Sequence, residues 1–152
     1  MSNSGPNFAV APGDSSPIVA AERIINHPRE GIGQSGETML TENIFKRIID
    51  KEIPATIIHE DEHCLAFHDI APKAPVHVLI IPRKEIRTHD DLRPEDAALL
   101  GHLHLVAVDL ARKLGLSKGY RLVVNCREGG GQVVPHLHVH LLGGRDLTWP
   151  PG

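Results

Sequence analysis

The sequence predicts a single α+β domain built on an antiparallel sheet. Three observations carry that prediction. Five short runs rich in β-branched and apolar residues are separated by turn signals, two segments carry helical periodicity, and strands stand on both sides of the longer helical segment. The length of 152 residues suits one domain, and a hydrophobic content of 41% suffices for a core.

Residues 1–38 stand apart, because Gly, Pro and Ser make up roughly a third of them and apolar residues keep no sustained period. They read as a flexible arm, in which only Ile18–Ile25 has the makings of a helical turn. The domain proper is assigned to residues 39–152. A short helix is expected from Glu42, with Ile44, Phe45, Ile48 and Ile49 on one face and Pro54 closing it. Thr56–Glu60, Cys64–Asp69 and His77–Pro82 then form a meander, divided by Asp61-Glu62 and by Pro72–Pro75.

A long helix is expected from Pro94, a good first helical residue, to Leu114, with Gly115 stopping it. Leu99, Leu103, Leu110 and Leu114 share one side, and Ala97, Leu100, Ala107, Val108 and Ala111 widen the apolar arc to about 180°, where covering one sheet takes roughly 100°. The surplus points to a second subunit packed against this helix, the alternative being a helix deeply buried within one subunit. Tyr120–Asn125 and Val134–Leu142 supply the last two strands.

Composition excludes several functions. The net charge is −3 and no Lys/Arg run forms the basic stripe that a nucleic acid polymer requires. Aromatic residues amount to 3%, too few for a platform of stacked bases. No apolar stretch spans a bilayer, so no membrane partner is expected. Cys64 and Cys126 lack paired metal-ligand spacing and are too few for a disulfide framework, which fits a reducing, cytoplasmic setting.

The chemistry concentrates in His136-Leu137-His138-Val139-His140. On a strand the three imidazoles share one face and the apolar residues take the other. Neighbours two apart lie about 6.6–6.8 Å from each other along a strand, a spacing that allows a pair to flank a phosphate or to chelate zinc. Zinc would need further ligands, for which His77, His63 or Cys126 are available. The preceding Gly129-Gly130-Gly131 favours phosphate, since glycines let a backbone turn its N–H groups toward an anion. Asn125 can donate its amide to a phosphate oxygen, although an isolated Asn is more often a turn residue. Asp69, at the end of an apolar strand, reads from spacing alone as a turn former.

Residues Gly131-Gln132-Val133-Val134-Pro135-His136-Leu137-His138-Val139-His140-Leu141-Leu142-Gly143-Gly144-Arg145 resemble the signature of the histidine-triad superfamily, in particular its nucleotide-binding Hint branch. Ile53-Pro54-Ala55, Cys64–Ile70, Ala74-Pro75, Leu114-Gly115-Leu116, Lys118–Arg121 and Trp149–Gly152 extend the likeness from about Glu42 to the last residue. The resemblance implies a homodimeric, metal-independent hydrolase without a cofactor, acting on purine nucleoside 5′-phosphoramidates and related acyl-adenylates through a nucleotidyl-histidine intermediate. By that likeness His138 is the nucleophile. His140 and Asn125 hold phosphate oxygens, and His77 and His136 complete the relay. Asp69 binds the ribose, and Ile44, Phe45, Ile48, Phe67, His68 and Ile70 enclose the base. Gln132 and Val133 lie in the phosphate loop, Val133 where many Hint proteins carry Ser or Thr, and Trp149 belongs to a tail near the partner's site. Cys126 stands where an acidic residue or glycine is common. Two other readings of the residues stay open: a nucleotide-binding scaffold without relevant turnover, and a zinc protein using the same histidines.

Overall fold

The computed structural model describes residues 41–152, so the 1–38 arm and its Ile18–Ile25 segment lie outside the described residues. A short helix, α1 (Ile44–Ile49), opens the described chain, with Asn43 as its N-cap: the Asn43 carboxamide oxygen accepts from the Lys46 N–H at 3.0 Å. Three strands follow, β1 (Ile57–Glu60), β2 (Cys64–His68) and β3 (Val76–Pro82), then the long helix α2 (Ala97–Lys113), then β4 (Tyr120–Val123) and β5 (Val139–Gly143). Every neighbouring pair is antiparallel, in the order β1-β2-β3-β5-β4, which is the expected α+β architecture with one short and one long helix.

Strand alternation sorts the core into two layers. Cys64 and Ala66 of β2, Val78 and Ile80 of β3, and Val139 and Leu141 of β5 meet Leu103, Val106, Ala107, Leu110 and Ala111 of α2. The opposite faces of the same strands, through Leu65, Phe67, Leu79 and Ile81, meet Phe45 and Ile48 of α1. His77 and His140 therefore open toward the α1 side, while α2 covers the other.

Two boundaries differ from the expectation for local reasons. Pro94–Asp96 is a 3₁₀ turn, in which the Asp96 carboxylate accepts from the Arg93 N–H at 3.0 Å, so the α-helix begins only at Ala97. The last strand begins at Val139 instead of Val134. Pro135 has no N–H to pair, the His136 N–H closes a tight turn onto the Val134 carbonyl at 2.8 Å, and the Leu137 N–H bonds the Ile86 carbonyl at 2.6 Å. With β5 shortened, β4 also stops at Val123, whose partner is His140. Gly115, at φ +73°, supplies the left-handed residue that ends α2.

Of the α2 apolar arc, Leu103, Ala107, Leu110 and Ala111 are buried in the core, and Leu99, Leu100 and Leu114 pack against it while only partly buried; Leu105, outside the arc, is 69% exposed.

Candidate functional site

A cavity of about 290 Å³ opens between α1, the end of β2, β3 and the 125–134 loop. Ile44, Phe45, Ile48 and Phe67 form its apolar wall, and Asp69, His77, Asn125, His138 and His140 gather at its polar end. His68, Ile70 and Val133 line it as well, and Ile70 is 47% exposed at the rim.

The shortened strand changes how the three histidines are held. Only His140 sits on β5; His138 immediately precedes it, and their ring centroids are 4.8 Å apart. His136 is turned into the core, 0% exposed, and does not line the cavity. The expectation that all three share one strand face is corrected accordingly: two face the cavity and the first supports them from behind.

The hydrogen bonds fix each ring's tautomer when followed from donors of known identity. The Asn43 amide oxygen is taken by the Lys46 N–H, so its NH₂ group donates to His136 Nδ1 at 2.9 Å. His136 Nε2–H then donates to the Pro82 carbonyl at 2.8 Å. His138 Nδ1–H donates to the His136 carbonyl at 2.7 Å, leaving Nε2 as the lone-pair nitrogen. On the other side the Lys73 N–H donates to His77 Nδ1 at 3.0 Å, so His77 carries its proton on Nε2 and donates it to His140 Nδ1 at 2.9 Å. His140 thus presents Nε2–H. Among the described residues that nitrogen is buried without a hydrogen-bond partner.

Electrostatics favour the same neutral forms. Burial lowers the pKa of His77, against an opposing pull from Asp69, and burial also lowers those of His136 and His138. His140 is pushed down to about 3, by burial first and then by its neighbours His138 and His77. The Phe45 ring meets the His138 ring edge-to-face at a centroid distance of 5.1 Å and helps hold its plane. The outcome is one lone pair, on His138, beside one N–H donor, on His140.

Asp69 divides its carboxylate. One oxygen accepts from the Ala71 N–H at 2.8 Å, the turn-forming role, while the other lies 3.4 Å from His77 Nε2 at the cavity wall. The glycine loop behaves differently from an anion nest, because the N–H groups of Gly130 and Gly131 bond back within the loop at 3.1 and 2.9 Å. Gln132 secures that loop: it is 1% exposed, its oxygen accepts from the Arg127 N–H, and its nitrogen donates to the Arg87 and Val134 carbonyls. Its side chain is therefore committed to the backbone. Arg127 itself sits at φ 60°, ψ 176°, a strained conformation for a residue with a side chain. Asn125 donates weakly to the Gly131 carbonyl at 3.4 Å and lines the cavity. Trp149 stands outside it, 84% exposed.

The sequence reasoning passed over Asn43, whose two-ended role as helix cap and His136 partner needs the tertiary pairing of residues 93 apart. It also passed over Ile53, Pro54 and Ala55 as cavity wall, although their place just after the α1 apolar face was a usable signal.

Asp69, His77 and His140 bring ligand atoms within 4.8 Å of one another, a set that could hold a metal ion. A metal there would need lone pairs on nitrogens that now share the His77–His140 proton, so it would have to dismantle the relay. Among the described residues no helix is long and apolar enough to cross a membrane.

A profile of the HIT domain matches residues 50–147. An uncharacterized HIT-like protein of Synechococcus elongatus is 54% identical over 114 residues, spanning 75% of this chain and all of its own length. A HIT family hydrolase of Legionella pneumophila superposes with a TM-score of 0.72 at 52% identity, over 73% of this chain and 100% of its own. A histidine triad nucleotide-binding protein of Candida albicans superposes with a TM-score of 0.62 at 32% identity, over 72% of this chain and 83% of its own.

Proposed function

The chain belongs to the HIT domain family, and from that premise we propose that it is a Hint-type hydrolase that cleaves purine nucleoside 5′-phosphoramidates and related acyl-adenylates. The observation that carries this reading is the pairing of a neutral His138, with its lone pair on Nε2, and a neighbouring His140 with an unpartnered Nε2–H. In this scheme His138 Nε2 attacks the α-phosphorus, the bond from phosphorus to the amine breaks, and the amine nitrogen takes up a proton from solvent, which the attacking water returns when it hydrolyses the intermediate. The new nucleotidyl-imidazolium is positive, and the His136 carbonyl on Nδ1–H offsets that charge. His140 Nε2–H and the Asn125 amide donate to the phosphoryl oxygens. Water then displaces His138, releases the nucleoside monophosphate and restores the neutral ring.

The apolar wall of Ile44, Phe45, Ile48 and Phe67 receives the base, and the free side of Asp69 receives the ribose hydroxyls. The similar Candida albicans protein is named a nucleotide-binding protein, which supports a nucleotide as occupant. The enzyme works as a homodimer through α2, and its two free thiols suit the reducing cytoplasm. The test is rapid quenching of the enzyme with an adenosine phosphoramidate, followed by mass spectrometry. The expected adduct lies on the peptide containing His138, and turnover survives a chelator but not His138→Ala. Turnover abolished by a chelator would favour zinc at Asp69, His77 and His140 instead. Full activity of His138→Ala would overturn the mechanism.

A further inference from the structure

A second cluster of ligating side chains lies at the β1 edge of the sheet, on the α2 side and away from the triad. Four elements meet there: β1 supplies His59, the β1–β2 turn Asp61, β2 Cys64 and α2 His102. The turn itself fixes Asp61, since one carboxylate oxygen accepts from the N–H groups of His63 and Cys64, both at 2.8 Å. The other oxygen is left for the cluster. His59 Nε2 reaches it at 2.8 Å, His102 Nε2 at 2.7 Å and Cys64 Sγ at 3.6 Å. The ligand atoms of His59, Asp61 and Cys64 all lie within 4.8 Å of one another. Cys64 forms a fully buried floor, while His59 and Asp61 leave a half-open mouth to solvent.

We propose that His59, Asp61, Cys64 and His102 form a structural binding site for a divalent zinc-class cation, which clamps α2 to the β1–β2 hairpin. Two imidazoles, one thiolate and one carboxylate suit zinc, whereas calcium and magnesium call for all-oxygen sets. Tetrahedral bonds of about 2.0–2.3 Å put ligand atoms about 3.3–3.6 Å apart. The Cys64–Asp61 separation already meets that, the two imidazole nitrogens must open from the Asp61 oxygen by about 0.5–0.9 Å, and His102, which stands outside the compact set of His59, Asp61 and Cys64, must also close on the other two ligands. On binding, the Cys64 thiol gives its proton to solvent, and each imidazole moves its proton from Nε2 to Nδ1. One proton is released per ion when both rings are neutral, so affinity rises about tenfold per pH unit.

The experiment titrates the full-length chain with Co(II) as a spectroscopic stand-in for Zn(II). One ion per chain is expected, with a thiolate-to-cobalt charge-transfer band that Zn(II) abolishes by displacement. The band disappears in Cys64→Ser and persists in Cys126→Ser. His59→Ala and His102→Ala weaken binding by about tenfold or more; each also removes a hydrogen bond to the Asp61 carboxylate, so each variant's own metal-free melting curve is its baseline. Zn(II) raises Tm in the wild type and not in His102→Ala. The proposal is overturned by a wild-type complex with no thiolate band, by a band that survives His59→Ala and His102→Ala at full affinity, or by bound metal that is lost in His77→Ala instead.

Discussion

Replacing Asn43 tests whether the triad is held from behind. Asn43→Ala removes two interactions at once: the cap on α1, worth about 1 kcal/mol, and the only donor to His136 Nδ1 among the described residues, whose loss from a buried site costs about 1–3 kcal/mol. A loss of about 2–4 kcal/mol is expected from urea unfolding. Asn43→Asp separates the two terms. It keeps the cap oxygen but cannot donate, so His136 must take a second proton, Nδ1–H meeting the carboxylate while Nε2–H stays on the Pro82 carbonyl. The folded-state pKa of His136 is then raised above its unfolded value. Stability gained that way is fully present below the unfolded value near 6.5 and is lost as pH rises through the folded one. Relative to wild type, Asn43→Asp should therefore be more stable at about pH 5.5 than at about pH 8. An Asn43→Ala protein within about 0.5 kcal/mol of wild type, or an Asn43→Asp protein with the wild-type pH dependence, would refute the supporting role.

The wild type should itself lose stability on acidification, because His77, His136, His138 and His140 all have depressed folded pKa values. The unfolded chain takes up protons below about pH 6.5 that the fold refuses, giving a slope of up to about 1.4 kcal/mol per pH unit per histidine, a window that for His140 extends down to about 3. Stability that stays flat from about pH 7 to about pH 5 would contradict this. Asp69→Ala should lower kcat/KM for ribonucleotide phosphoramidates far more than for their 2′-deoxy analogues, and equal losses would leave Asp69 with only its turn role. Leu100→Glu should weaken the dimer measured by sedimentation, since it places an unpaired charge on the α2 apolar arc, and a wild type that sediments as a monomer at micromolar concentration would remove the reason for the test.

Much of this molecule was legible in the residues. Alternation in the strands and the 3.6-residue period of α2 reveal their inner faces because both follow from backbone geometry alone. The histidine motif announces the site, and Phe45, Phe67 and Asp69 do line the cavity beside it. What stayed hidden depends on long-range pairing. The extent of β5 turns on hydrogen bonds from Leu137 to Ile86 and within Val134–His136, so a run that reads as one strand becomes a turn followed by a strand. Gln132 looks like a loop ligand in one dimension and proves to be a fastener in three. Asn43 carries no motif, and only the closing of α1 over the sheet gives it a partner.

The relay from the Lys73 amide through His77 to His140 has a direction, and its origin is a main-chain group. Which nitrogen of His140 meets the cavity is thus recorded in the path of the backbone at position 73, whatever side chain is carried there. Nearly every mutation at that position leaves the instruction intact, since proline alone lacks the amide. Polarity in this relay is consequently buffered against genetic drift at its source, and the vulnerable link is His77, the element that transmits it.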